Sequence, residues 1–315
     1  MYVSLDEAAE ILKKSGIVAI PTETVYGLAG NAFCETAIAR IFAAKERPFF
    51  DPLIVHIAEF EELDNLAAEV PKSARLMAEK FWPGPLTMIL PKKENVPNLT
   101  TGGLSAVAIR MPKKQMARDI IKLAGFALAA PSANMFQHIS PTSPEHVLEQ
   151  LGSRIDGIVD GGVCEVGVES TVVGFENEMP VIYRPGAVTS EMIAELLNSS
   201  QLQILNSQPK KTGIVSPGLL QKHYSPNTPL YIELPSEVPS NSGLLAFGEL
   251  PANSKDFAKI LNLSESGNPT EAAANLYGML HKFDSCRLSG IYVTLLPQAG
   301  LGNAINDRLI RAAGS

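Results

Sequence analysis

Five short polar segments lie within the first 190 residues, each where an apolar strand or helix ends and a loop with proline or glycine begins. Together they carry small hydroxyls, an amide and fixed cations, which suit a polyanion held beside a small zwitterion. We therefore expect one site that takes a phosphate-bearing molecule and an amino acid. The segments are PTETVYGL at 21–28, KERP at 45–48, PSAN at 131–134, EST at 169–171 and YRPG at 183–186.

Two cations, Lys45 and Arg47, come at the end of a helix predicted over 36–45. Taken alone, they fit the C-terminal end of a helix, where the dipole favours positive charge. They also suit phosphate, because arginine offers a planar fork of donors and lysine a point charge. Pro48 prevents the helix from continuing, so both side chains leave from a rigid corner.

Hydroxyls and an arginine at strand ends predict the amino-acid part of the site. Thr22 and Thr24 follow an apolar strand, where threonine either caps a turn or hydrogen-bonds an amino acid. His56 lies in another apolar strand, and a lone histidine there is most often a core residue with its hydrogen bonds satisfied. Arg110 ends a strand and needs water or an anionic partner, such as a substrate carboxylate.

Three further loops offer polar groups that also have ordinary structural explanations. Ser132 and Asn134 follow an apolar strand, and both residue types are favoured in turns. Ser170 falls inside a strand predicted over 168–175, where serine and threonine among valines are normal. Arg184 precedes a Pro-Gly pair and is either a surface residue or a second phosphate clamp.

Composition argues against several classes of protein. The net charge of −7 and the pI near 5.4 argue against binding of nucleic acid over a broad basic surface. They leave open the possibility of a local basic patch. No apolar run reaches the roughly 18 residues of a membrane span, and the N-terminal stretch lacks the pattern of a signal peptide. Three cysteines, far apart and odd in number, indicate a reducing cytosol, so we expect a cytoplasmic protein.

Familiar metal and nucleotide motifs do not occur in the sequence. There is no Cys-x-x-Cys or His-Glu-x-x-His spacing, so no protein-held metal is expected, and no Gly-x-x-x-x-Gly-Lys-Ser/Thr loop. Gly300-Leu301-Gly302 follows a strand and opens a helix, but Ile305 stands where a dinucleotide fingerprint has its third glycine. We interpret it as a turn that starts a helix.

Apolar periodicity predicts an α/β domain with a mixed sheet, because helices and strands alternate at first and strands then follow one another. The helices are expected at 5–15, 36–45, from Pro71 to Trp82, and at 114–124, 144–151 and 190–198. The strands are expected at 17–20, 53–57, 86–90, 106–111, 126–130, 156–159, 168–175 and 179–183.

A change of composition predicts a linker and a second domain. Residues 199–229 are rich in serine, glutamine, asparagine and proline, which is typical of an interdomain linker. We expect a larger domain over 1–200, a linker or lid over 201–229 and a small α/β domain with three layers over 230–315. In the small domain, strands are expected at 230–233, 243–247, 258–263 and 290–295, and helices at 270–283 and 303–313.

These segments together resemble the L-threonylcarbamoyladenylate synthase family in its two-domain form. The resemblance runs from about residue 3 to 198 and includes SPG at 216–218, HYSP at 223–226, GLGNAI at 300–305 and the pair Asp307-Arg308. It implies a YrdC-like α/β fold, with a twisted, mostly mixed sheet and helices, followed by a linker and a small Rossmann-like α/β domain. It also implies a positively charged concave surface.

The resemblance implies a nucleotidyltransferase that makes L-threonylcarbamoyl-AMP and pyrophosphate from L-threonine, bicarbonate or CO2, and ATP. A downstream transferase system then modifies tRNA to threonylcarbamoyladenosine beside the anticodon, and a weak direct contact with tRNA is an open alternative. The implied catalytic residues are Lys45, Arg47, Ser132 and Asn134. The implied threonine-binding residues are Thr24, His56, Arg110 and Ser170. The implied ATP-binding residues are Arg47, Asp51, Ala106, Ala130, Ser132, Arg184, His223 and Tyr224.

The family usually has asparagine at the position of Asp51. An acid near ATP is unfavourable unless it faces a cation or contacts the ribose or base. The implied chemistry, attack of a carbamate oxygen on the α-phosphorus, needs positioning and charge stabilisation rather than a protein nucleophile, with Mg²⁺ expected beside the phosphates. No membrane partner is expected.

Three alternatives stay open at this point, and one is that the C-terminal domain binds a ligand of its own or has a regulatory or lid-positioning role. A nucleotide- or RNA-binding module without catalysis would share the basic concave surface, and threonine-dependent ATP cleavage separates it from an enzyme. A carbamoyl transferase that uses carbamoyl phosphate would share the first domain, but this sequence has nothing that resembles the zinc-finger and acylphosphatase regions of such proteins.

Overall fold

The computed structural model describes residues 1–176, 178–198, 203–204 and 223–314. The predicted linker and lid over 201–229, including Ser216-Pro217-Gly218, therefore lies largely outside the described residues. In the described part, no helix is long and apolar enough to cross a membrane. The helices are α1 Leu5–Lys13, α2 Glu35–Lys45, α3 Leu63–Leu66, α4 Lys72–Phe81, α5 Gln115–Ala124, α6 Pro144–Leu151, α7 Ser190–Leu197, α8 Pro269–Asp284 and α9 Leu301–Ala313.

The strands fall into two separate sheets. The larger sheet contains β1 Val18–Ile20, β2 Gly27–Asn31, β3 Ile54–His56, β4 Leu86–Pro91, β5 Ala106–Arg110, β6 Leu128–Ala129, β7 Gly157–Ile158, β8 Thr171–Glu176, β9 Met179–Arg184 and β10 Gln203–Ile204. The smaller sheet contains β11 Leu230–Tyr231, β12 Ser242–Ala246, β13 Lys259–Asn262 and β14 Gly290–Val293.

Local sequence explains where several helices begin and end. Ser4 accepts from the backbone of Glu7, and the Glu7 carboxylate accepts from the backbone of Ser4, which closes a capping box at the start of α1. Pro144 opens α6, where its missing N–H costs nothing. Gly125 ends α5 with φ of +82°, a backbone conformation that glycine adopts without strain.

The larger sheet is mixed, as the sequence predicts. Its strand order is β10-β9-β8-β4-β5-β3-β6-β2-β1-β7. Parallel pairs β4 with β8 and β3 with β5 stand beside antiparallel pairs β4 with β5, β3 with β6 and β8 with β9. Side chains of α1 and α5 pack on one face, and those of α2, α4, α6 and α7 pack on the other.

The smaller sheet is parallel, with the order β11-β14-β12-β13. Both α8 and α9 pack on the face that carries Leu245 and Ile291. The opposite face, with Leu244 and Ala246, packs against Phe257 and Val238 from connecting segments. The prediction of three layers was therefore wrong for the described residues, because both helices share one face.

Three element predictions need correction in the larger sheet, and one of them is that β10 lies within the predicted linker. Strand β2 was missed, because Gly-Leu-Ala-Gly-Asn has no period-two alternation and contains residues that are poor in strands. Strand β8 begins at Thr171 and not at 168, so Ser170 lies in the loop before the strand. That loop position frees Ser170 to face a pocket instead of a neighbouring strand.

Candidate active site

Strand register brings the predicted residues to one edge of the larger sheet. His56 pairs with Arg110 at the carboxyl ends of the parallel strands β3 and β5. Because β4 runs antiparallel to β5, its Thr87 lies near Arg110, and β8 beside it begins next to Ser170. Strand β9 ends at Arg184 opposite the start of β8.

A pocket of about 560 Å³, open solvent at its mouth included, lies at this edge. Ten of the residues implied by the family resemblance line it: Thr24, Arg47, His56, Arg110, Ala130, Ser132, Ser170, Arg184, His223 and Tyr224. The other lining residues are Thr22, Val25, Gly27, Pro52, Ile54, Pro131 and Glu169.

Arg110 is held by three groups from two loops. Its Nη1 donates to Oγ1 of Thr24 at 2.9 Å, its Nη2 lies 2.6 Å from Oε1 of Glu23, and its Nε donates to the carbonyl of Gly84 at 3.3 Å. Both members of the ion pair are buried. Glu23 is therefore the anionic partner that a buried arginine requires, and the guanidinium still lines the pocket.

Two hydroxyls and a neutral histidine lie beside Arg110. Thr22 and Thr24 have their Oγ1 atoms 2.9 Å apart, and Thr22 donates to the carbonyl of Val25 at 2.6 Å. Burial, helped by the charge of Arg110, lowers the pKa of His56 to about 3. His56 therefore presents an uncharged imidazole to the pocket at neutral pH.

Ser170 connects two other pocket residues. Its Oγ lies 2.7 Å from Oγ1 of Thr87, and its carbonyl accepts from Nε and Nη2 of Arg184 at 3.1 and 3.0 Å. Arg184 is buried, so this contact fixes the guanidinium against the wall of the pocket. The interpretation of Arg184 as a surface residue was wrong.

Arg47 lies at the other side of the pocket and faces an acid. Glu46 has φ of +55° and ends α2, which turns Arg47 back toward the sheet. Its Nη2 lies 2.9 Å from Oδ1 of Asp51 and donates to the carbonyl of Pro52 at 2.9 Å. Burial raises the pKa of Asp51, and the charge of Arg47 opposes that rise. The acid thus faces a cation, one of the two arrangements that the sequence allowed.

Lys45 lies behind the pocket wall and not on it. Its Nζ donates to the carbonyls of Ser132 and Asn134, both at 2.6 Å. Burial, with the charge of Arg47 nearby, lowers the pKa of Lys45 well below its usual value. In this arrangement Lys45 fixes the loop that carries Ser132. The backbone of Ser132 forms an antiparallel bridge with that of Gly27, another residue that lines the pocket.

Three other predicted residues lie away from the lining. The Asn134 amide donates to the carbonyls of Met135 and His138, which is the turn chemistry that the sequence left open. Asp51 is reached through Arg47. Ala106 begins β5, opposite Pro91 and at the far end of the strand from Arg110, about 13 Å away at the usual rise per residue.

His223 and Tyr224 close the pocket from the other side. Tyr224 has φ of +63°, and its ring lies 4.0 Å from that of His223. Both side chains are buried, and burial lowers the pKa of His223 to about 3. These two residues follow the undescribed part of the chain, yet the structure places them in the same pocket as the early loops.

Sequence reasoning missed Glu169 as a pocket residue. Burial would raise the pKa of this carboxyl, but Arg308 and Arg184 together with a hydrogen bond from Ser140 lower it to about 2. Glu169 is thus a charged, buried group at the pocket wall. An acid in a run of valine, serine and threonine was the available signal, but its partner Arg308 lies 139 residues away.

Comparisons with known proteins agree along the whole chain. The Sua5_yciO_yrdC family model, described as "Telomere recombination", matches residues 10–186, and Sua5_C, described as "Threonylcarbamoyl-AMP synthase, C-terminal domain", matches residues 188–314. Threonylcarbamoyl-AMP synthase from Pyrococcus abyssi is 39% identical over 98% of this chain and 93% of that protein. The synthase of the same name from Bacillus subtilis is also 39% identical, over 98% of this chain and 92% of that protein.

A solved structure shares the fold of both sheets. The crystal structure of P. abyssi Sua5 complexed with L-threonine matches with a TM-score of 0.88 and 36% identity, and the match covers 98% of this chain and 94% of that chain. The family resemblance and the fold class inferred from the sequence are therefore confirmed. The chain belongs to the threonylcarbamoyl-AMP synthase family, in its two-domain Sua5 form, whose members are enzymes of the nucleotidyltransferase type.

Proposed function

We propose that this protein condenses L-threonine, CO2 or bicarbonate, and ATP into L-threonylcarbamoyl-AMP and pyrophosphate. The observation that carries the proposal is a single pocket that joins two chemically different ends. Of its lining residues, we assign Arg110, Thr24 and Ser170 to one end and Arg47 and Arg184 to the other, and the two ends meet at the contact of Ser170 with Arg184. The family relationship supports this reaction, and the residue roles below are our assignments.

The first end suits a small hydroxylated amino acid. Arg110 keeps a fixed orientation through Glu23 and Thr24 and can still face a carboxylate, because a guanidinium has five donors. Hydroxyls of Thr24 and Ser170 supply hydrogen bonds for a side-chain hydroxyl or an amine. Neutral His56 adds a polar group without repelling a positively charged amine.

The second end suits the phosphates of ATP. Arg47 and Arg184 stabilise the negative charge that develops when the carbamate oxygen attacks the α-phosphorus and pyrophosphate leaves. Ser132 and Ala130 border the same space, and Lys45 holds the Ser132 loop by its carbonyl. His223 and Tyr224 cover this end, and a covered pocket protects a carbamate and an adenylate from water.

Mg²⁺ is proposed to arrive with the phosphates of ATP and not to be held by the protein. Of the carboxylates in the described part of the chain, those nearest the pocket are already engaged, Asp51 by Arg47, Glu23 by Arg110 and Glu169 by Arg308. That donor set does not fit a metal bound directly by side chains. No step proposed here depends on the ion.

The product defines the next reaction. A threonylcarbamoyl adenylate is an activated acyl donor, and we propose a downstream transferase that passes its threonylcarbamoyl group to an adenosine of tRNA in the cytoplasm. The domain boundaries 1–200, 201–229 and 230–315, and a covering role for the segment before His223, remain predictions.

One incubation tests the proposed reaction. The purified protein is mixed with ATP, bicarbonate and one amino acid at a time, and pyrophosphate and the adenylate are followed by an enzymatic assay and by mass. We expect pyrophosphate and the threonylcarbamoyl adenylate with L-threonine, and much less product with valine or serine. ATP cleavage that does not depend on any amino acid would contradict the proposal.

A further inference from the structure

The carboxylate of Glu169 is held almost entirely by the C-terminal part of the chain. Its Oε2 accepts from Nε of Arg308 in α9 at 2.9 Å, and both oxygens accept from the hydroxyl of Tyr277 in α8 at 2.9 and 3.0 Å. From the larger domain it receives only Ser140, at 2.5 Å, among the described contacts. Glu169, Tyr277 and Arg308 are all buried.

The loop that ends in Glu169 also lies directly against α8. Gly167 has φ of +77°, and a Cβ placed there would lie 2.2 Å from the carbonyl oxygen of Ala273. One apolar cluster joins Val25 and Val168 of the larger domain to Ala273 and other residues of α8. The C-terminal domain therefore packs on the segment of chain that leads into the pocket.

This contact reaches the pocket through the next residue. Ser170 follows Glu169, lines the pocket and holds Arg184 through its carbonyl. A shift of the Glu169 backbone would carry Ser170 with it, because the two residues share a peptide plane. The position of Ser170 thus depends on the partner of Glu169.

The same C-terminal side chains also hold the cover of the pocket. The guanidinium carbon of Arg308 lies 5.3 Å from the ring centroid of Tyr224, and the ring of Tyr277 stacks on that of Tyr224 at 6.0 Å. Cation–π and stacking contacts fix the plane of the Tyr224 ring. Two residues that line the pocket, Glu169 and Tyr224, are therefore held by one pair, Tyr277 and Arg308.

We propose that Arg308 and Tyr277 are positioning residues for the substrate pocket, so that the C-terminal domain sets the binding of L-threonine through Glu169 and Ser170. The proposal rests on the proposed function and deepens it. If the ion pair between Arg308 and Glu169 served only to join the two domains, its loss would lower stability. The affinity of the folded molecules for L-threonine would then stay unchanged.

The test compares full-length variants that alter this contact by graded amounts. Arg308→Met removes the charge, Arg308→Lys keeps it, and Tyr277→Phe removes one hydroxyl while keeping the stacked ring. Arg287→Met makes the same change as Arg308→Met at an exposed position. For each protein, the fraction folded is measured by thermal unfolding, threonine binding by calorimetry, and KM and kcat by pyrophosphate release.

We expect Arg308→Met to raise the KM for L-threonine by roughly tenfold or more, as small displacements in a site do, with a smaller change in the KM for ATP. Arg308→Lys restores most of the affinity, Tyr277→Phe raises the KM by a few fold, and Arg287→Met matches the unaltered protein. A KM effect of this kind is independent of the fraction of folded molecules, so a purely structural role would not produce it.

Unchanged threonine binding and KM in folded Arg308→Met would overturn the proposal. If Arg308→Met does not fold, Tyr277→Phe is the deciding variant, and an unaltered KM for L-threonine in folded Tyr277→Phe would overturn the proposal equally. Failure of the proposed function is a different result, since the unaltered protein would then bind no L-threonine and release no pyrophosphate in response to it.

Discussion

Arg110 donates from Nη1 to Oγ1 of Thr24 at 2.9 Å, a contact that joins the end of β5 to the loop after β1 inside the pocket. Glu23, the neighbour of Thr24, receives the other end of the same guanidinium at 2.6 Å. Because both groups are buried, the orientation of Arg110 is fixed before any amino acid enters. The loop and the arginine therefore act as one binding element.

Thr24→Val tests this element, because valine keeps the shape of threonine and removes the hydroxyl. Nη1 of Arg110 would be left without its acceptor, and an unsatisfied buried donor costs about 1–3 kcal/mol. Since about 1.4 kcal/mol corresponds to tenfold in affinity, we expect L-threonine to bind roughly tenfold more weakly. Calorimetric titration measures the affinity, and thermal unfolding shows whether the fold is kept.

Thr36→Val is the matched control, because Thr36 is exposed on α2. It should bind L-threonine as the unaltered protein does. Unreduced affinity in folded Thr24→Val would remove Thr24 from the proposed threonine site.

Asp51→Asn tests the charge balance at the nucleotide end. The carboxylate lies 2.9 Å from Nη2 of Arg47, and both are buried. Removal of this negative charge leaves Arg47 unneutralised, so we expect the protein to be less stable and to bind ATP roughly three- to tenfold more tightly. Thermal unfolding with and without ATP measures both effects.

Asp64→Asn provides the comparison, because Asp64 pairs with Arg75 at an exposed site, 2.8 Å apart. This exposed pair should contribute little, and ATP should stabilise that variant normally. Weaker ATP binding by Asp51→Asn would indicate that the carboxylate itself contacts the nucleotide.

The sequence was most informative where a local rule decides the structure. The helices expected at 5–15 and 144–151 begin where the structure has them, at the capping pair Ser4 and Glu7 and at Pro144. The family resemblance implied His56 and Arg110 in one site, and in the structure they meet because the parallel strands β3 and β5 end at one edge of the sheet. The sequence thus predicted one shared site, and the roles of its residues remain predictions.

The sequence did not predict contacts between side chains that lie far apart along the chain. Nothing near Glu169 indicates Arg308, and nothing near Arg110 indicates that Glu23 rather than a substrate is its nearest anion. Lys45 resembles a phosphate ligand in sequence, yet both strong donations of its Nζ go to backbone carbonyls. Such pairings depend on tertiary packing, which no local pattern encodes.

Arg47→Ala tests the phosphate end of the pocket by activity. Arg47 is the buried cation that follows α2, and removal of a preorganised charge that stabilises a transition state typically costs a factor of about 100 to 1,000 in rate. We expect pyrophosphate release to fall by roughly that factor while the fold survives. Initial rates with saturating L-threonine give the comparison.

Arg75→Ala removes an arginine from an exposed ion pair and should keep the full rate. Circular dichroism of both variants separates loss of catalysis from loss of structure. A fully active Arg47→Ala protein would mean that the clamp on the phosphates has been assigned to the wrong residue.

Two buried histidines predict how stability depends on pH. Burial lowers the pKa of His56 and of His223 to about 3 each, below the value of 6.5 expected in the unfolded chain. As the pH falls below 6.5, these histidines bind protons in the unfolded state but not in the folded state. The free energy of unfolding therefore decreases on acidification. Each histidine changes the free energy of unfolding by up to about 1.4 kcal/mol per pH unit. Its full contribution to stability is present above pH 6.5.

His56→Gln isolates one of these slopes between pH 6.5 and pH 5, where most carboxylates are still charged. We expect the free energy of unfolding, measured by urea denaturation, to fall less steeply with acidification than in the unaltered protein. The difference should approach about 1.4 kcal/mol per pH unit, because one proton fewer is taken up on unfolding. His138→Gln changes an exposed histidine and should keep the original slope. Equal slopes for His56→Gln and the unaltered protein would show that His56 is protonated in the fold, which would also place a positive charge beside Arg110 in the proposed threonine site.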